Sequence, residues 1–298
     1  MATVGTETVR APLRTLLGDH PTTHALRQGT VTSPIVPLAF ADVAVPHQAF
    51  KRVVRDLEFD VAEIALMTLL MAQSRGVPLK LLPVVVFSRN PLRYLVCDRE
   101  RRQLAPADIP RCRIAVRSYT TTTAVWIRAL LADQYGVDAG RAQWVTLDEG
   151  HVAGVPDPPN VHRDASGVDL MTMLSDGAVD AVIVDPIPTS ARFGPIVPDP
   201  EATFHAWQDR HGARTLNHVI AIREPLAENE EAMRELFRLF RESRERGGGA
   251  VDQASAPIGF EANRKNLEVA IAVADAQHLL ARPLTIDDLV TDVLASLD

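Results

Sequence analysis

Hydrophobic residues in the first third of the chain come in short runs that alternate with amphipathic segments. The apolar runs at 13–17, 35–40 and 59–62 have the length of strands. The segments at 22–28 and 46–54 between them have helical spacing. Short strands that alternate with helices are typical of an α/β domain.

The stretch 78–99 is rich in Leu and Val and is interrupted by Pro83 and Pro91. Proline is poorly tolerated inside a helix, so this stretch predicts two strands that meet at a bend. A second strand and helix series then occupies the middle of the chain. Its predicted elements are strands at 113–116, 143–147 and 181–184 and helices at 124–134 and 170–174. We therefore expect two α/β domains, one formed by 1–109 with 216–298 and the other by 110–215.

The last part of the chain is predicted to return to the first domain through a strand at 216–222. Two amphipathic helices follow, and their apolar faces carry Met233, Leu236, Phe237 and Phe240, and Leu267, Ala270, Ile271 and Ala274. The run Gly247, Gly248 and Gly249 predicts a hinge between them. A final helix is predicted behind Thr285, with Asp287 and Asp288 in its first turn.

Composition excludes several classes of function. The chain has 298 residues, of which 46% are hydrophobic and 23% charged, and its formal net charge is -7. It has no basic surplus to neutralise phosphates, so we expect no nucleic-acid partner. Cys97 and Cys112 are too few for a disulfide framework. His20 and His24 lack the Glu of an HExxH motif, and we find no Gly-rich phosphate loop, so we expect neither a metal nor a cofactor.

The N-terminal segment predicts where the protein acts. Glu7 and Arg10 interrupt residues 1–18, and no apolar run there reaches the roughly seven residues of a secretory signal. The apolar stretches 64–72 and 79–87 are much shorter than the roughly 20 residues of a membrane-spanning helix. We therefore expect a cytoplasmic protein with no membrane partner.

Polar residues next to predicted strands are the candidates for chemistry. Glu63 follows the strand at 59–62 and precedes strong helix formers, which places it at or just before a helix N-terminus, where the helix dipole favours an anion. A simple helix cap explains the same pattern. Thr121, Thr122 and Thr123 offer hydroxyl and N–H groups at the start of the helix at 124–134, either as an anion site or as caps.

Arg89 and Arg93 lie between two apolar strands, where a guanidinium can hold a carboxylate through two hydrogen bonds or can simply be solvated. His218 lies in an otherwise apolar strand, where it is either a functional imidazole or a hydrogen-bonded core residue. Asp19 and His20 follow the first strand at its carboxyl end, the edge at which open α/β sheets bind ligands. An ordinary turn explains their positions equally well.

Seven of these segments, in the same order over about 16–289, resemble the 4,5-dihydroxyphthalate decarboxylase family. They are DHPTTHAL (19–26), FDVAE (59–63), SR (88–89), TTAVWIR (122–128), QYGV (134–137), NHV (217–219) and GFEANR (259–264). The resemblance implies a two-lobed type II periplasmic-binding-protein-like fold with an interdomain ligand cleft. It also implies the non-oxidative loss of one carboxyl group from a dihydroxylated aromatic diacid. Tyr94 stands where family members commonly have His, and an extra residue lies around Asn90 and Pro91.

On this resemblance, the expected activity is that of a carboxy-lyase acting on a small aromatic carboxylate. Either His218 or Glu63 protonates the ring carbon, and Arg89 or Arg93 anchors the retained carboxylate. Thr121, Thr122 and Thr123 form a second oxyanion site, and His20 orients a ring hydroxyl. Tyr94 is a further substrate-binding candidate, as is Asp19.

Two other functions fit the same fold. One is a non-catalytic solute-binding protein for a small carboxylate. The other is a different enzyme, such as a menaquinone-pathway dehydratase or a naphthoate-forming enzyme. The sequence is also compatible with a homo-oligomer.

Overall fold

The computed structural model describes residues 11–247 and 256–298. Within these residues the strands are β1 (Leu13–Leu16), β2 (Leu38–Phe40), β3 (Val61–Ala65), β4 (Leu79–Ser88), β5 (Leu95–Asp98), β6 (Arg113–Val116), β7 (Gln143–Thr146), β8 (Val161–Arg163), β9 (Ala181–Ile183), β10 (Phe193–Pro195) and β11 (Leu216–Arg223). The α-helices are α1 (His24–Arg27), α2 (Phe50–Arg55), α3 (Leu66–Gln73), α4 (Thr122–Tyr135), α5 (Leu170–Asp176), α6 (Pro200–His211), α7 (Glu224–Ala227), α8 (Glu230–Arg246), α9 (Phe260–Ala276) and α10 (Asp292–Ala295).

The described residues form two compact units. The first unit runs up to Arg89 and resumes at Leu216, and the second unit covers Asn90–Thr215. The sequence-based boundary after residue 109 is therefore displaced, because β5 pairs with β9 and β10 in the second unit. The chain crosses between the units at Arg89 and Asn90, directly after β4 ends.

The first unit contains a five-stranded sheet in the order β2, β1, β3, β11, β4. β1 is parallel to both β2 and β3, whereas β11 is antiparallel to both β3 and β4. β11 follows the second unit in the chain, yet it lies between two strands that precede that unit. All five residues of β3 are buried, as expected for a strand covered on both faces.

β4 shows how the sheet accommodates a proline. Pro83 lies within this edge strand, rather than at the end of a strand as the sequence suggests. The pairing of β4 with β11 shifts register between Val85 and Leu82, and the Pro83 carbonyl accepts a hydrogen bond from the Gly259 N–H at 2.9 Å. An edge strand with a local irregularity is where proline does least harm, since its missing N–H leaves no ladder bond unmade.

The amphipathic helices of the first unit are as predicted. On α8, Met233, Leu236, Phe237 and Phe240 are all buried, and on α9 Leu267, Ala270 and Ala274 are buried while Ile271 is half-buried. Of the predicted glycine hinge, Gly248 and Gly249 lie outside the described residues. The helix predicted behind Thr285 is a 3₁₀ turn at Asp287–Leu289 followed by the short α10.

The second unit contains a six-stranded sheet in the order β10, β5, β9, β6, β7, β8. Its centre is parallel, because β6 pairs in parallel with both β7 and β9. α4 follows β6 and ends at Gly136, whose φ of 62° is the left-handed conformation that glycine adopts at helix ends. Within the described residues of both units, no helix has the length and apolar character needed to cross a bilayer.

Candidate functional site

The Glu63 carboxylate is the centre of a polar cluster inside the first unit. Glu63 is the middle residue of β3 and is fully buried. Its Oε1 lies 2.6 Å from Nδ1 of His218 and 2.9 Å from Nε2 of His20. Its Oε2 lies 3.1 Å from the same His20 nitrogen and accepts a hydrogen bond from the Gly18 N–H at 2.7 Å. One buried carboxylate thus holds two imidazoles.

These contacts keep Glu63 ionised. Burial alone would raise the pKa of the carboxyl group, but the hydrogen bonds and charge interactions with His20 and His218 outweigh burial and hold its pKa far below its usual range. The predicted role of Glu63 as a proton donor at neutral pH therefore conflicts with its surroundings. A carboxylate in this state orients the two imidazoles and stabilises a positive charge on either of them.

The helix after Glu63 begins later than predicted. α3 begins at Leu66, and Glu63 lies within the strand. Ala62 and Glu63 pair with Ala221 and Ile220 of β11, so the chain remains extended here although the following residues favour a helix. Two imidazoles and a backbone N–H stabilise the carboxylate in place of a helix dipole.

His218 is the inner imidazole of the cluster. It lies in β11 opposite Ala65 of β3, and only 14% of its side chain is exposed. Burial is the main reason that its pKa is lower than usual, and the nearby Arg89 lowers it further, although Glu63 acts in the opposite direction. Since an ionised carboxylate only accepts, Nδ1 carries the proton that faces Glu63. Nε2 has no hydrogen-bond partner among the described residues.

His20 is the outer imidazole. Its backbone N–H donates to Thr23 Oγ1 at 3.0 Å, and its carbonyl accepts from the Thr23 N–H at 2.9 Å, so a tight turn fixes its position after β1. The side chain is 27% exposed. Nε2 faces Glu63, and Nδ1 has no hydrogen-bond partner within the part of the chain that the structure describes. Each imidazole therefore has one nitrogen oriented by Glu63 and a second one available to a ligand.

Phe87 is the shared packing surface of this cluster, and the sequence analysis did not single it out. Its ring centroid lies 4.4 Å from that of His218 and 5.1 Å from that of His20, and the Arg89 guanidinium carbon lies 5.0 Å from it. Phe50 supports the other side of His218 in an edge-on contact at 5.3 Å. The only sequence signal for Phe87 is its position before Ser88 and Arg89 at the end of an apolar run.

Arg89 lies at the end of β4 beside this cluster. With the Asn217 amide oriented to place its oxygen towards the guanidinium, Oδ1 accepts from Arg89 Nε at 3.2 Å and from Nη2 at 3.0 Å. Asn217 is buried and precedes His218 in β11. The amide orients the guanidinium without neutralising its charge, which suits a group that binds an anion.

Gly18 brings the backbone close to both His20 and Glu63. A Cβ atom at this position would lie 2.5 Å from His20 Nε2 and 2.9 Å from Glu63 Oε2. Contacts this short force one of the two groups to move. A side chain at position 18 is therefore incompatible with the hydrogen-bonded arrangement of His20 and Glu63.

We expect Gly18→Ala to move the His20 ring away from Glu63 and to lower kcat/KM between about 10-fold and 100-fold, because small displacements of a positioned group have effects of this size. Steady-state kinetics and the ¹⁵N signals of the His20 ring would measure this. Gly29→Asn is the control, because a Cβ there meets nothing within 4 Å and asparagine tolerates the left-handed φ of 68° better than other side chains. Unchanged His20 signals in Gly18→Ala would contradict the expectation.

The other predicted site residues have different partners or belong to the second unit. Asp19 is half-exposed and pairs with His24 at 2.7 Å. Arg93 belongs to the second unit, is more than half exposed, and pairs there with Glu201 at 3.4 Å. Tyr94, Thr121, Thr122 and Thr123 are also residues of the second unit.

The helix start predicted around the threonines is present. Thr121 is the residue before α4, and its side chain makes no capping hydrogen bond to the helix. Its Oγ1 is buried and has no partner among the described residues. No cluster of three or more His, Cys, Asp or Glu side chains able to hold a metal ion occurs in 11–247 or 256–298.

Comparison with known proteins yields two curated relatives, both named 4,5-dihydroxyphthalate decarboxylase. The protein from Comamonas testosteroni is 27% identical over 197 residues, which cover 61% of this chain and 59% of the relative. The protein from Pseudomonas putida is 27% identical over 147 residues, which cover 46% of this chain and 57% of the relative. The chain thus spans less than two thirds of the length of either relative. No family model matches it.

Solved structures with the same fold include solute-binding proteins. The ligand-binding component of an ABC-type import system from Staphylococcus aureus aligns with a TM-score of 0.59 at 9% identity. The alignment covers 96% of this chain and 98% of the Staphylococcus aureus chain. The alkanesulfonate-binding protein SsuA from Xanthomonas axonopodis aligns with a TM-score of 0.55 at 13% identity. The alignment covers 94% of this chain and 98% of SsuA. These matches confirm the periplasmic-binding-protein-like fold. The curated relatives confirm the resemblance to the decarboxylase family.

Proposed function

We propose that this protein is a carboxy-lyase that removes one carboxyl group, without oxidation, from a dihydroxylated aromatic diacid such as 4,5-dihydroxyphthalate. The observation that carries the proposal is the buried Glu63 carboxylate shared by His20 and His218, each with a second ring nitrogen available to a ligand. The names of the two curated relatives support the same reaction class.

The reaction needs two proton-handling groups. When an aromatic carboxylate leaves as carbon dioxide, the carbon–carbon bond breaks, its electron pair stays on the ring carbon, and a proton takes the place of the carboxyl group. A ring hydroxyl assists by releasing electron density into the ring as its own proton is withdrawn. One group must therefore accept a hydrogen bond from the hydroxyl while another donates a proton to carbon.

Two imidazoles on one carboxylate suit these two roles. A proton added to either ring forms an imidazolium whose charge is balanced by Glu63. A second added proton would leave a net positive charge in a buried site beside Arg89, which burial disfavours. Glu63 can balance one added positive charge but not two, and this favours separate acid and base roles for the two rings.

We assign the acid to His218 and the hydroxyl contact to His20. His218 is the more deeply buried ring, and because its pKa is lowered, its imidazolium is a stronger acid than an ordinary histidine. His20 is the more exposed ring, where it can accept a hydrogen bond from a ring hydroxyl through Nδ1. Arg89 holds the carboxylate that is retained, through the paired hydrogen bonds that a guanidinium provides.

The lowered pKa of His218 predicts a pH dependence with a definite sign. If the charged form of His218 is the donor, kcat/KM falls by about tenfold per pH unit above its pKa. Burial places that pKa below the ordinary 6.5. We therefore expect activity to rise as the pH is lowered from 8 towards 6, and kinetics across this range would measure it. A rate that is constant over the whole range in folded protein would exclude His218 as the proton donor.

The proposal is tested by incubating the protein with 4,5-dihydroxyphthalate in D₂O. We expect one carbon dioxide per substrate and 3,4-dihydroxybenzoate that carries one deuterium at the carbon vacated by the carboxyl group. Mass spectrometry and NMR of the product would measure both. Absence of carbon dioxide over a panel of hydroxylated phthalates would contradict the proposal.

A solute-binding function is the second candidate, because the solved structures that share the fold include binding proteins. Tight binding of an aromatic acid without carbon dioxide release would favour it. A menaquinone-pathway dehydratase or a naphthoate-forming enzyme would likewise leave the hydroxylated phthalates unchanged. The expected cytoplasmic location and the homo-oligomer stay predictions, which cell fractionation and light scattering can test.

A further inference from the structure

Arg117 in the second unit is held in place, and its ion pair with Asp148 is a long one. It directly follows β6, and its carbonyl accepts hydrogen bonds from the Leu147 and Asp148 N–H groups at 3.1 and 2.7 Å. Its guanidinium contacts His151 Nε2 at 3.4 and 3.5 Å, and its distance to the Asp148 carboxylate is 3.8 Å. The side chain is 32% exposed. A mostly buried cation therefore lacks a carboxylate within hydrogen-bonding distance among the described residues.

Arg192 of the second unit shows what a closely paired guanidinium looks like here. It donates to the buried Asp98 carboxylate at 2.6 and 2.9 Å. The nearest carboxylate to Arg117 lies 3.8 Å away, on Asp148. A partly buried cation with so long an ion pair would be stabilised by an anion that accepts hydrogen bonds from it directly.

His151 is suited to present Arg117 to a ligand. It is buried, and because a guanidinium can only donate, Nε2 must be the accepting, unprotonated nitrogen. A neutral imidazole fixes the direction of the guanidinium while leaving its charge intact. A carboxylate at the same place would fix the direction but would cancel the charge.

The position of Arg117 within the sheet also favours a ligand site. Arg117 follows the carboxyl end of β6, which is parallel to β7, and open α/β sheets bind ligands at this edge. Thr146 ends β7 beside Val116, and its buried Oγ1 has no hydrogen-bond partner among the described residues. The edge thus combines a guanidinium whose nearest carboxylate is 3.8 Å away with a hydroxyl group that has no partner among the described residues.

We propose that Arg117, oriented by His151, is a carboxylate-binding subsite of the second unit. The inference rests on the proposed function in one respect, that the carboxylate belongs to an aromatic diacid. It gives Arg117 the anchoring role in this unit that the sequence suggested for Arg93, whose guanidinium already pairs with Glu201.

The first experiment measures the binding of phthalate, which lacks the reacting hydroxyl groups, by isothermal titration calorimetry. We expect Arg117→Gln to weaken binding by at least about tenfold, and Arg117→Lys to weaken it less because it keeps the charge but not the planar fork. Arg210→Gln is the matched control, because Arg210 is an exposed arginine that pairs with Asp133. Thermal unfolding of each variant verifies that it is folded. An unchanged affinity in Arg117→Gln would overturn the inference.

The second experiment does not depend on the aromatic ligand. The His151 ring signals, assigned by comparison with His151→Gln, are followed by NMR during a titration with acetate against chloride at constant ionic strength. We expect a saturable shift in the wild-type protein that is absent in Arg117→Gln. No saturable shift in the wild type, or the same shift in Arg117→Gln, would overturn the subsite. An acetate response without any phthalate binding would instead contradict the proposed function and leave the subsite standing.

Discussion

Replacing Glu63 with glutamine is expected to lower kcat about 10,000-fold, the effect of losing the carboxylate that orients a catalytic histidine in other enzymes. Oε1 of Glu63 faces two imidazoles and Oε2 faces the Gly18 N–H. An amide has one accepting oxygen and one donating nitrogen, so the new side chain must point its NH₂ group either at the Gly18 N–H or at the two rings. At least one imidazole loses both its orientation and the negative charge that stabilises its protonated form.

The same replacement should change how stability depends on pH. Glu63 has a folded-state pKa far below the ordinary 4.5, so its contribution is present above about pH 4.5 and is lost as the pH falls below that value. His218 has a lowered pKa, so the unfolded state gains a proton below about pH 6.5 before the folded state does. Both groups make the wild-type protein less stable as the pH falls.

Urea unfolding of the wild type and of Glu63→Gln between pH 7 and pH 4 would measure this difference. We expect the variant to lose less stability below about pH 5, because a glutamine amide does not titrate in this range. Asp19→Asn is the matched control, since Asp19 also pairs with an imidazole but in an exposed position. Parallel stability curves for the wild type and Glu63→Gln would show that folding does not lower the pKa of Glu63.

Replacing His218 with asparagine should lower turnover by about 100-fold or more, the usual contribution of a general acid. Asparagine keeps polarity and approximate size but has no proton that titrates near neutral pH. Since Arg89 still binds the retained carboxylate, the affinity for phthalate should change little. Comparison of kcat with the dissociation constant of phthalate separates these two effects.

His24→Asn is the control for losing an imidazole elsewhere, because His24 pairs only with Asp19 in the described structure and is more than half exposed. It should retain wild-type turnover. If His218→Asn also retained near-normal turnover while His20→Asn lost it, the proton donor would be His20. The shared carboxylate would keep its role in either case.

The sequence predicts the parts of this molecule that depend on local patterns. The buried face of α8 follows from the spacing of Met233, Leu236, Phe237 and Phe240, and the end of α4 follows from Gly136. The apolar run around His218 predicts a strand because β11 is an interior strand flanked by β3 and β4. In each case a short segment carries enough information to determine its own conformation.

The site itself depends on contacts that no local pattern encodes. Glu63 and His218 are 155 positions apart and meet only because β11 pairs with β3. Propensity places Glu63 at or just before a helix N-terminus, and strand pairing on both sides keeps the chain extended past it. Gly18 and Phe87 have no chemical signature in the sequence. Gly18 matters because it leaves room for the His20 and Glu63 side chains, and Phe87 matters because its ring packs against both imidazoles.

The boundary between the units shows the same limitation. The sequence assigns β5 to the first domain because it follows β4 closely. Its partners, β9 and β10, lie more than 80 positions further along, and pairing with them makes it part of the second unit. Proximity along the chain does not predict which domain a strand belongs to when the chain leaves one domain and later returns.

The placement of β11 also has a consequence for synthesis on the ribosome. Until residues 216–223 have emerged, β3 and β4 lack the strand that separates them, and Glu63 lacks one of its two imidazoles. The nascent first unit therefore exposes unpaired strand edges and a carboxylate without its full set of donors while the whole second unit is translated. Such edges are prone to pair with other chains. A cell that makes this protein in quantity thus benefits from a chaperone that covers the incomplete sheet until the returning strand is available.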